Sequence, residues 1–402
     1  MAPPNAFSRR TLLAGAAVVT LVGCASEPSD SDDPTAGAGS GTPVSPSAAS
    51  TVAPTVQVTA EHGFDAMWPQ DILDIQVSGG TVSKVTVTSA DGGDVPGTLT
   101  GAQWKPERNF LVRATYTITV EAENESGVAF PTTVSATTID PEFVTEVDFR
   151  YADGQIGNGM PVWVRFDMSV TDEQRAAIEK TATITTVPAQ EGSWGWMDDT
   201  TLAWRPRDYW QAGSTAHVEV KAAGLPAADT WVLADAAADY QFGDLRVLKT
   251  DIDNHSLTCL RNGNVDAVIP VSLGKPGDET MTGTKLIMEK EYETIMDSES
   301  YGVDNESADG YKVTVYWNQR ITWSGEYFHA APWADAYHGN TNVSHGCTGM
   351  TTDNATWLYN WTQIGDPAEF TGTSAKGSVP AWDTYGCWTY DWETWKTLSA
   401  VA

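Results

Sequence analysis

Trp104-Lys105-Pro106, followed nine residues on by Thr115-Tyr116-Thr117-Ile118-Thr119-Val120, returns one hundred residues later as Trp204-Arg205-Pro206 and Thr215-Ala216-His217-Val218-Glu219-Val220. A fixed period of this kind marks a duplicated structural unit. Each copy holds alternating segments, Val82-Ser83-Lys84-Val85-Thr86-Val87 in the first and Val162-Trp163-Val164-Arg165-Phe166 in the second, which put Val, Ile and aromatic side chains on one face of a strand. Units of about one hundred residues, made of short strands with Gly, Pro and Asp turns, suit a tandem pair of immunoglobulin-like sandwiches. Their expected extents are 55–140 and 141–243. The tryptophans read as sandwich core, with carbohydrate binding as the alternative, and neither copy gathers reactive side chains.

Upstream of the repeat, residues 1–23 read as an export signal. Arg9-Arg10 precede an apolar run from Leu12 to Val22, and a run of that length is too short to span a bilayer. It ends in Leu21-Val22-Gly23-Cys24, which is similar to the lipobox of bacterial lipoproteins, so Cys24 is the expected lipid anchor. Ser8-Arg9-Arg10-Thr11-Leu12-Leu13 also resembles a twin-arginine signal. Residues 24–54 are rich in Ser, Pro, Ala, Gly and Thr, a composition that cannot bury enough apolar surface to offset chain ordering. About 30 such residues span roughly 30 Å as a coil and reach roughly 100 Å when stretched, enough to hold a domain off a membrane.

The whole chain, 402 residues with 23 basic and 53 acidic side chains, carries a formal charge of −30. That balance excludes nucleic acid as a natural partner and repels anionic headgroups. Membrane association therefore falls to the covalent anchor.

Downstream, Leu257-Thr258-Cys259-Leu260-Arg261 and Val265 to Leu273 flank Asn262-Gly263, a hairpin signal. Further strands are expected at Tyr311 to Trp317 and Arg320 to His329. Thr352 is the expected cap of a helix with Ala355, Leu358 and Trp361 on one face. The region 244–370 reads as a mainly β domain with little helix. Residues 371–402, with Trp382, Trp388, Trp392 and Trp395, read as an aromatic segment packed back on its neighbours.

The densest reactive cluster is Phe328-His329-Ala330-Ala331-Pro332-Trp333 followed by Ser344-His345-Gly346-Cys347. A cysteine nucleophile needs a thiol whose pKa is lowered so that the sulfur is ionised, a base or imidazolium partner, and backbone donors for an oxyanion, and this stretch is expected to supply each. A zinc site made of His329, His338, His345 and Cys347 is the rival, without Cys-x-x-Cys or His-x-x-x-His spacing in its support.

His329, fourteen intervening residues and Ser344-His345-Gly346-Cys347 together resemble the signature of the L,D-transpeptidase catalytic domain, in particular the mycobacterial-type lipoprotein members. Ile295-Met296-Asp297-Ser298-Glu299-Ser300-Tyr301-Gly302-Val303, the paired immunoglobulin-like modules, the lipobox and the tryptophan-rich C-terminus are similar to that group as well. The resemblance implies that Cys347 attacks the third residue, a diamino acid, of a donor stem peptide of peptidoglycan and expels D-Ala. A second stem then takes the acyl group on its side-chain amine. It implies that His329 is the base and that the Ala330 carbonyl fixes its tautomer. Gly346 and Cys347 amides with His345 would form the oxyanion hole, and Ser344 would stabilise the loop. Tyr301 and Met296 would line the donor site, Trp333 would shape its mouth, and Gly349 would contact substrate. No metal or cofactor is implied, and carbapenem-type β-lactams are implied inhibitors.

Thr348-Gly349 departs from the family, which usually carries a hydrophobic residue and then Asn or Arg, so the polar side chain behind one substrate contact is absent, which bears on that contact and on the acceptor preference. Export permits a disulfide between Cys259 and Cys387. Transfer of the acyl group to water, making a carboxypeptidase or endopeptidase, and a non-catalytic wall-binding lipoprotein are the alternative functions.

Overall fold

The computed structural model describes residues 51–401 apart from 153, 229–230, 302–303 and 308–309, and for Ala227, Ala228, Trp231, Ser300 and Tyr301 only the backbone. The export signal, Cys24 and the tether as far as residue 50 lie outside the described residues, as does the side chain of Tyr301. Strands dominate the rest. Two compact units are formed, one from the chain up to Val144 with Ala223–Leu233, the other from Thr145–Ala222 with the chain from Ala234 onward.

The first unit is a sandwich. One sheet runs Thr55–Ala60, Leu73–Ser78, Gln103–Pro106, Gly97–Thr100 in spatial order, and the other Gly80–Ser89, Thr115–Asn124, Ala129–Thr137. The strict alternation of Thr115–Asn124 turns Tyr116, Ile118, Val120 and Ala122 inward, where they meet Trp104 and Phe110. Ala223–Leu233, expected within the second sandwich, belongs here: Asn109 Nδ2 donates to the Ala223 carbonyl at 2.8 Å.

The second sandwich repeats the device around its tryptophan. Gly97 pairs with Pro106 and Gly192 with Pro206, and in each copy the glycine lies against the indole. A Cβ would fall 2.1 Å from Trp104 Cζ2 at Gly97 and 2.0 Å from Trp204 Cζ2 at Gly192. The copies differ on the outer face. Gln103–Pro106 buries alternate residues, whereas all six of Thr201–Pro206 are buried. Trp204 points into the sandwich core, and Arg205 points outward beneath the C-terminal segment. The Arg205 guanidinium lies 4.4 Å from the ring centre of Trp388, 5.2 Å from Trp395 and 5.3 Å from Trp392. Trp395 Nε1 donates to Ser193 O at 3.0 Å and Trp388 Nε1 to Gly159 O at 2.6 Å. Leu286 and Met288 of the third module join the same core as Trp204, Trp210 and Trp395.

The third module has two sheets. We number its strands β1 (Arg246–Asp251), β2 (Ser256–Arg261), β3 (Asn264–Pro270), β4 (Gly283–Leu286), β5 (Glu289–Asp297), β6 (Lys312–Arg320), β7 (Tyr327–Ala330), β8 (Thr348–Met350) and β9 (Pro367–Thr371). One sheet is ordered β3-β2-β1-β9-β4, the other β5-β6-β7-β8. Asn262 and Gly263 join β2 to β3 with φ of 51° and 82°, the positive values of a type I′ turn. The strand expected from Arg320 to His329 is shorter, because Thr322–Gly325 turns and only β7 remains extended. Helix Thr352–Trp361 is capped by Thr351, one residue before the expected cap, its hydroxyl accepting from Asn354 N at 3.3 Å. Ala355, Leu358 and Trp361 are its buried face.

The Cys259–Cys387 disulfide is not formed, and both residues are free thiols. They serve different cores: Cys259 packs with Leu248, Leu257 and Phe370, and Cys387 with Trp210 and Trp395.

Overpacking a tight site costs about 1–3 kcal/mol. Gly97→Ala and Gly192→Ala are each expected to lower the unfolding free energy by that amount, read as an earlier midpoint in denaturant melts. Midpoints equal to wild type would show that the indoles have room the geometry denies them.

Candidate active site

β7 and β8 run parallel, with Phe328 opposite Thr348, His329 opposite Gly349 and Ala330 opposite Met350. His329 and Cys347, eighteen positions apart in sequence, thereby come to the wall of one cavity of about 350 Å³. Met296, Trp333, Ser344, His345 and Gly349 line it too. Trp333 is 58% exposed at its rim and its ring stacks on His329 at 6.0 Å.

His329 Nδ1 lies 2.8 Å from the Ala330 carbonyl. A carbonyl only accepts, so the ring proton sits on Nδ1 and Nε2 keeps its lone pair. The side chain of Ala330 plays no part in this. Ser344 Oγ donates to Cys347 O at 2.7 Å and accepts from Gly346 N at 3.1 Å. Thr280 Oγ1 donates to the Gly346 carbonyl at 2.7 Å. Gly346, at φ 117°, adopts a conformation that side-chain-bearing residues avoid. Its amide, expected to face an oxyanion, is occupied by Ser344, so Gly346 shapes the turn instead. His345 Nε2 lies 2.9 Å from Lys275 Nζ, and the ring rests on Tyr311 at 5.0 Å. The four residues of the zinc alternative do not gather their ligand atoms around one point; among the described residues Glu61, His62 and Asp71, in the first unit, do.

Models of two families match this chain: a bacterial Ig domain over residues 65–226 and the L,D-transpeptidase catalytic domain over residues 245–370. L,D-transpeptidase 2 of Mycobacterium tuberculosis (strain CDC 1551 / Oshkosh) is 31% identical over 334 residues, 82% of this chain and 81% of that protein. This chain belongs to the L,D-transpeptidases. L,D-transpeptidase 5 of Mycobacterium tuberculosis (strain ATCC 25618 / H37Rv) is also 31% identical, over 82% of this chain and 73% of that protein. A crystal structure of L,D-transpeptidase 3 from Mycobacterium tuberculosis with a faropenem-derived adduct is 31% identical at a TM-score of 0.49, covering 56% of this chain and 98% of that one. Membership of this family makes the protein an acyltransferase of the cysteine-nucleophile type whose general function is peptidoglycan cross-linking.

The electrostatics of this transpeptidase differ from the ionised sulfur expected from sequence. Burial pushes the Cys347 thiol up to about 12, aided by the Glu326 carboxylate and opposed by the Tyr327 amide and Lys285. Burial also holds His329 below the usual imidazole range, against the Ala330 carbonyl. Both groups are therefore neutral at rest. The thiol is directed at the Gly325 carbonyl, 3.5 Å away. Lys275, Tyr311, Val313, Val315 and Tyr337 belong to the site and were not singled out from sequence. Nothing local marks them, since folding alone brings the last four to the cavity and Lys275 to His345.

A neutral pair has a distinct pH signature. Alkylation of Cys347 by iodoacetamide is expected to stay slow through neutral pH and to rise past pH 10. A plateau reached below pH 7 would instead reveal a preformed thiolate.

Proposed function

We propose that Cys347 is the nucleophile and His329 the base of a transpeptidation that links the third residues of two stem peptides. The observation that carries this reading is the His329 ring, its proton fixed on Nδ1 by Ala330, sharing one cavity with the Cys347 thiol. The sulfur attacks the third-residue carbonyl while its proton passes to His329 Nε2. The tetrahedral intermediate collapses to a thioester as His329 returns that proton to the departing D-Ala nitrogen. The apolar wall formed by Met296, Val313 and Val315 suits the aliphatic stem of a diamino acid, and exclusion of water there favours an amine acceptor over hydrolysis. Lining by Gly349 supports a contact with the peptide backbone, and the placement of Tyr301 beside the donor site remains part of this proposal. Carbapenem-type β-lactams offer the same acyl carbon to the thiol and would acylate Cys347. Lipidation of Cys24 and the tether behind it would hold the enzyme on the outer face of the membrane within reach of the wall.

Incubation with a disaccharide-tetrapeptide, followed by mass spectrometry, is expected to give a cross-linked dimer with loss of D-Ala. Cys347→Ala should abolish both the dimer and a carbapenem adduct on the intact protein, and His329→Ala should slow both by about 10²-fold or more. Tripeptide without dimer would assign hydrolysis instead. Dimer formation by Cys347→Ala would remove the thiol from the mechanism.

A further inference from the structure

Gly346 is a soft joint directly before the nucleophile. A Cβ there would meet nothing closer than Glu326 Cγ at 3.7 Å, so its φ of 117°, and not crowding, is what demands glycine. A residue without a side chain lets the peptide plane that follows it turn at little steric cost. That plane carries the Gly346 carbonyl on one edge and the Cys347 amide on the other, and a half-turn would exchange the two. Something outside the turn has to decide which way the amide points.

Thr280 decides it. The residue is fully buried, and its hydroxyl accepts from Gly274 N at 3.0 Å. A hydroxyl has a single proton, and here that proton goes to the Gly346 carbonyl at 2.7 Å. The hydroxyl is itself held from both sides. At Gly274 a Cβ would fall 2.1 Å from Asp278 O and 2.6 Å from Thr280 N, so the backbone leading into Thr280 lies flush against that glycine. On the other side Met281 N donates to Glu326 Oε1 at 2.9 Å. The Gly346–Cys347 peptide is trans, and in a planar trans peptide the N–H and C=O point in opposite directions. The Cys347 amide therefore points away from Thr280. It has no acceptor among the described residues, whereas the Gly346 amide is taken by Ser344. Cys347 lines the cavity and Thr280 stands behind it.

We propose that Thr280 is a positioning residue for acyl transfer: by gripping the Gly346 carbonyl it turns the Cys347 amide toward the oxygen of the carbonyl under attack. This rests on the transpeptidase reading of Cys347. As the C–S bond forms, the thiol proton passes to His329 and the carbonyl π pair moves onto oxygen. The Cys347 amide donates to that oxygen while it is negative. The pair returns as the C–N bond breaks and the nitrogen leaves with the proton from His329. The same oxyanion forms when the acceptor amine attacks the thioester. Thr280 gives up no proton and touches no substrate. With the Gly346 amide already engaged, the direction of the remaining backbone donor matters more, since a donor aimed at developing charge acts most strongly in a site that excludes water.

The test compares the full chain with Thr280→Val, which has nearly the same shape without the hydroxyl, and Thr280→Ser, which keeps it. Carbapenem adduct formation, followed by intact mass, reads a step that passes through an oxyanion. Alkylation by iodoacetamide at pH 10 reads the same sulfur displacing iodide from a saturated carbon, where no oxyanion forms. Thr280→Val should slow adduct formation by about tenfold or more while alkylation stays within about twofold of wild type. Thr280→Ser should recover most of the adduct rate. In the dimer assay the loss should fall on kcat with KM nearly unchanged, because the donor acts on the transition state. Equal losses in adduct formation and alkylation would reduce Thr280 to a packing residue. An unchanged adduct rate in Thr280→Val, or a Thr280→Ser as slow as Thr280→Val, would remove the hydroxyl from the mechanism. A wild-type protein that is alkylated but forms no adduct would instead overturn the reading of Cys347 itself.

Discussion

Three backbone pairs hold the active site: Phe328 with Thr348, His329 with Gly349 and Ala330 with Met350. Because side chains alternate along a strand, a slip of one residue in this short ladder would send His329 to the opposite face and leave the thiol without its base. The ladder is defended by the loop it closes. Ser272 Oγ donates to Thr341 O at 2.8 Å, Leu273 N donates to Asn342 Oδ1 at 2.9 Å, and Ser344 N donates to Leu273 O at 2.9 Å. The segment between base and nucleophile is thus stitched to residues 271–275, and its conformation fixes where the sulfur emerges.

Beneath that loop lies a closed ion pair. Lys285 is fully buried and donates to the Glu326 carboxylate and, at 2.7 Å, to Met281 O, while Glu326 Oε1 accepts from Met281 N at 2.9 Å. Glu326 opposes the thiolate and Lys285 favours it, each acting less than dehydration, which therefore decides the proton affinity of the sulfur. A dry, neutral site suits a reaction in which charge appears only as bonds change. Dipoles aimed at such charge act most strongly where water is excluded.

Much of this was readable in the chain. The Trp-x-Pro repeat announced two sandwiches because a large indole must be enclosed by neighbouring strands, and the period of the flanking residues showed which face did so. His329 and Cys347 stood out because reactive residues are few and these were clustered. The sequence could not show that the outer face of Thr201–Pro206 is covered, since Arg205 looks like a solvent-facing residue until Trp388 and Trp395 arrive from nearly two hundred positions away. Nor could it show that Cys259 and Cys387 enter separate cores, or that the Gly346 amide is already occupied. Each of these depends on tertiary neighbours rather than on local pattern.

The burial of Arg205 under three indoles also sets a schedule. Synthesis proceeds from the N-terminus, so the strand Thr201–Pro206 is made long before the tryptophans that roof it. Until residues 388–400 appear, Glu179, Trp196 and Arg205 lack the partners that Ala400, Leu398 and Tyr390 later supply. A nascent chain halted before that point would carry a wet aromatic face that proteases and chaperones can recognise, and maturation of the middle module waits on the arrival of the end.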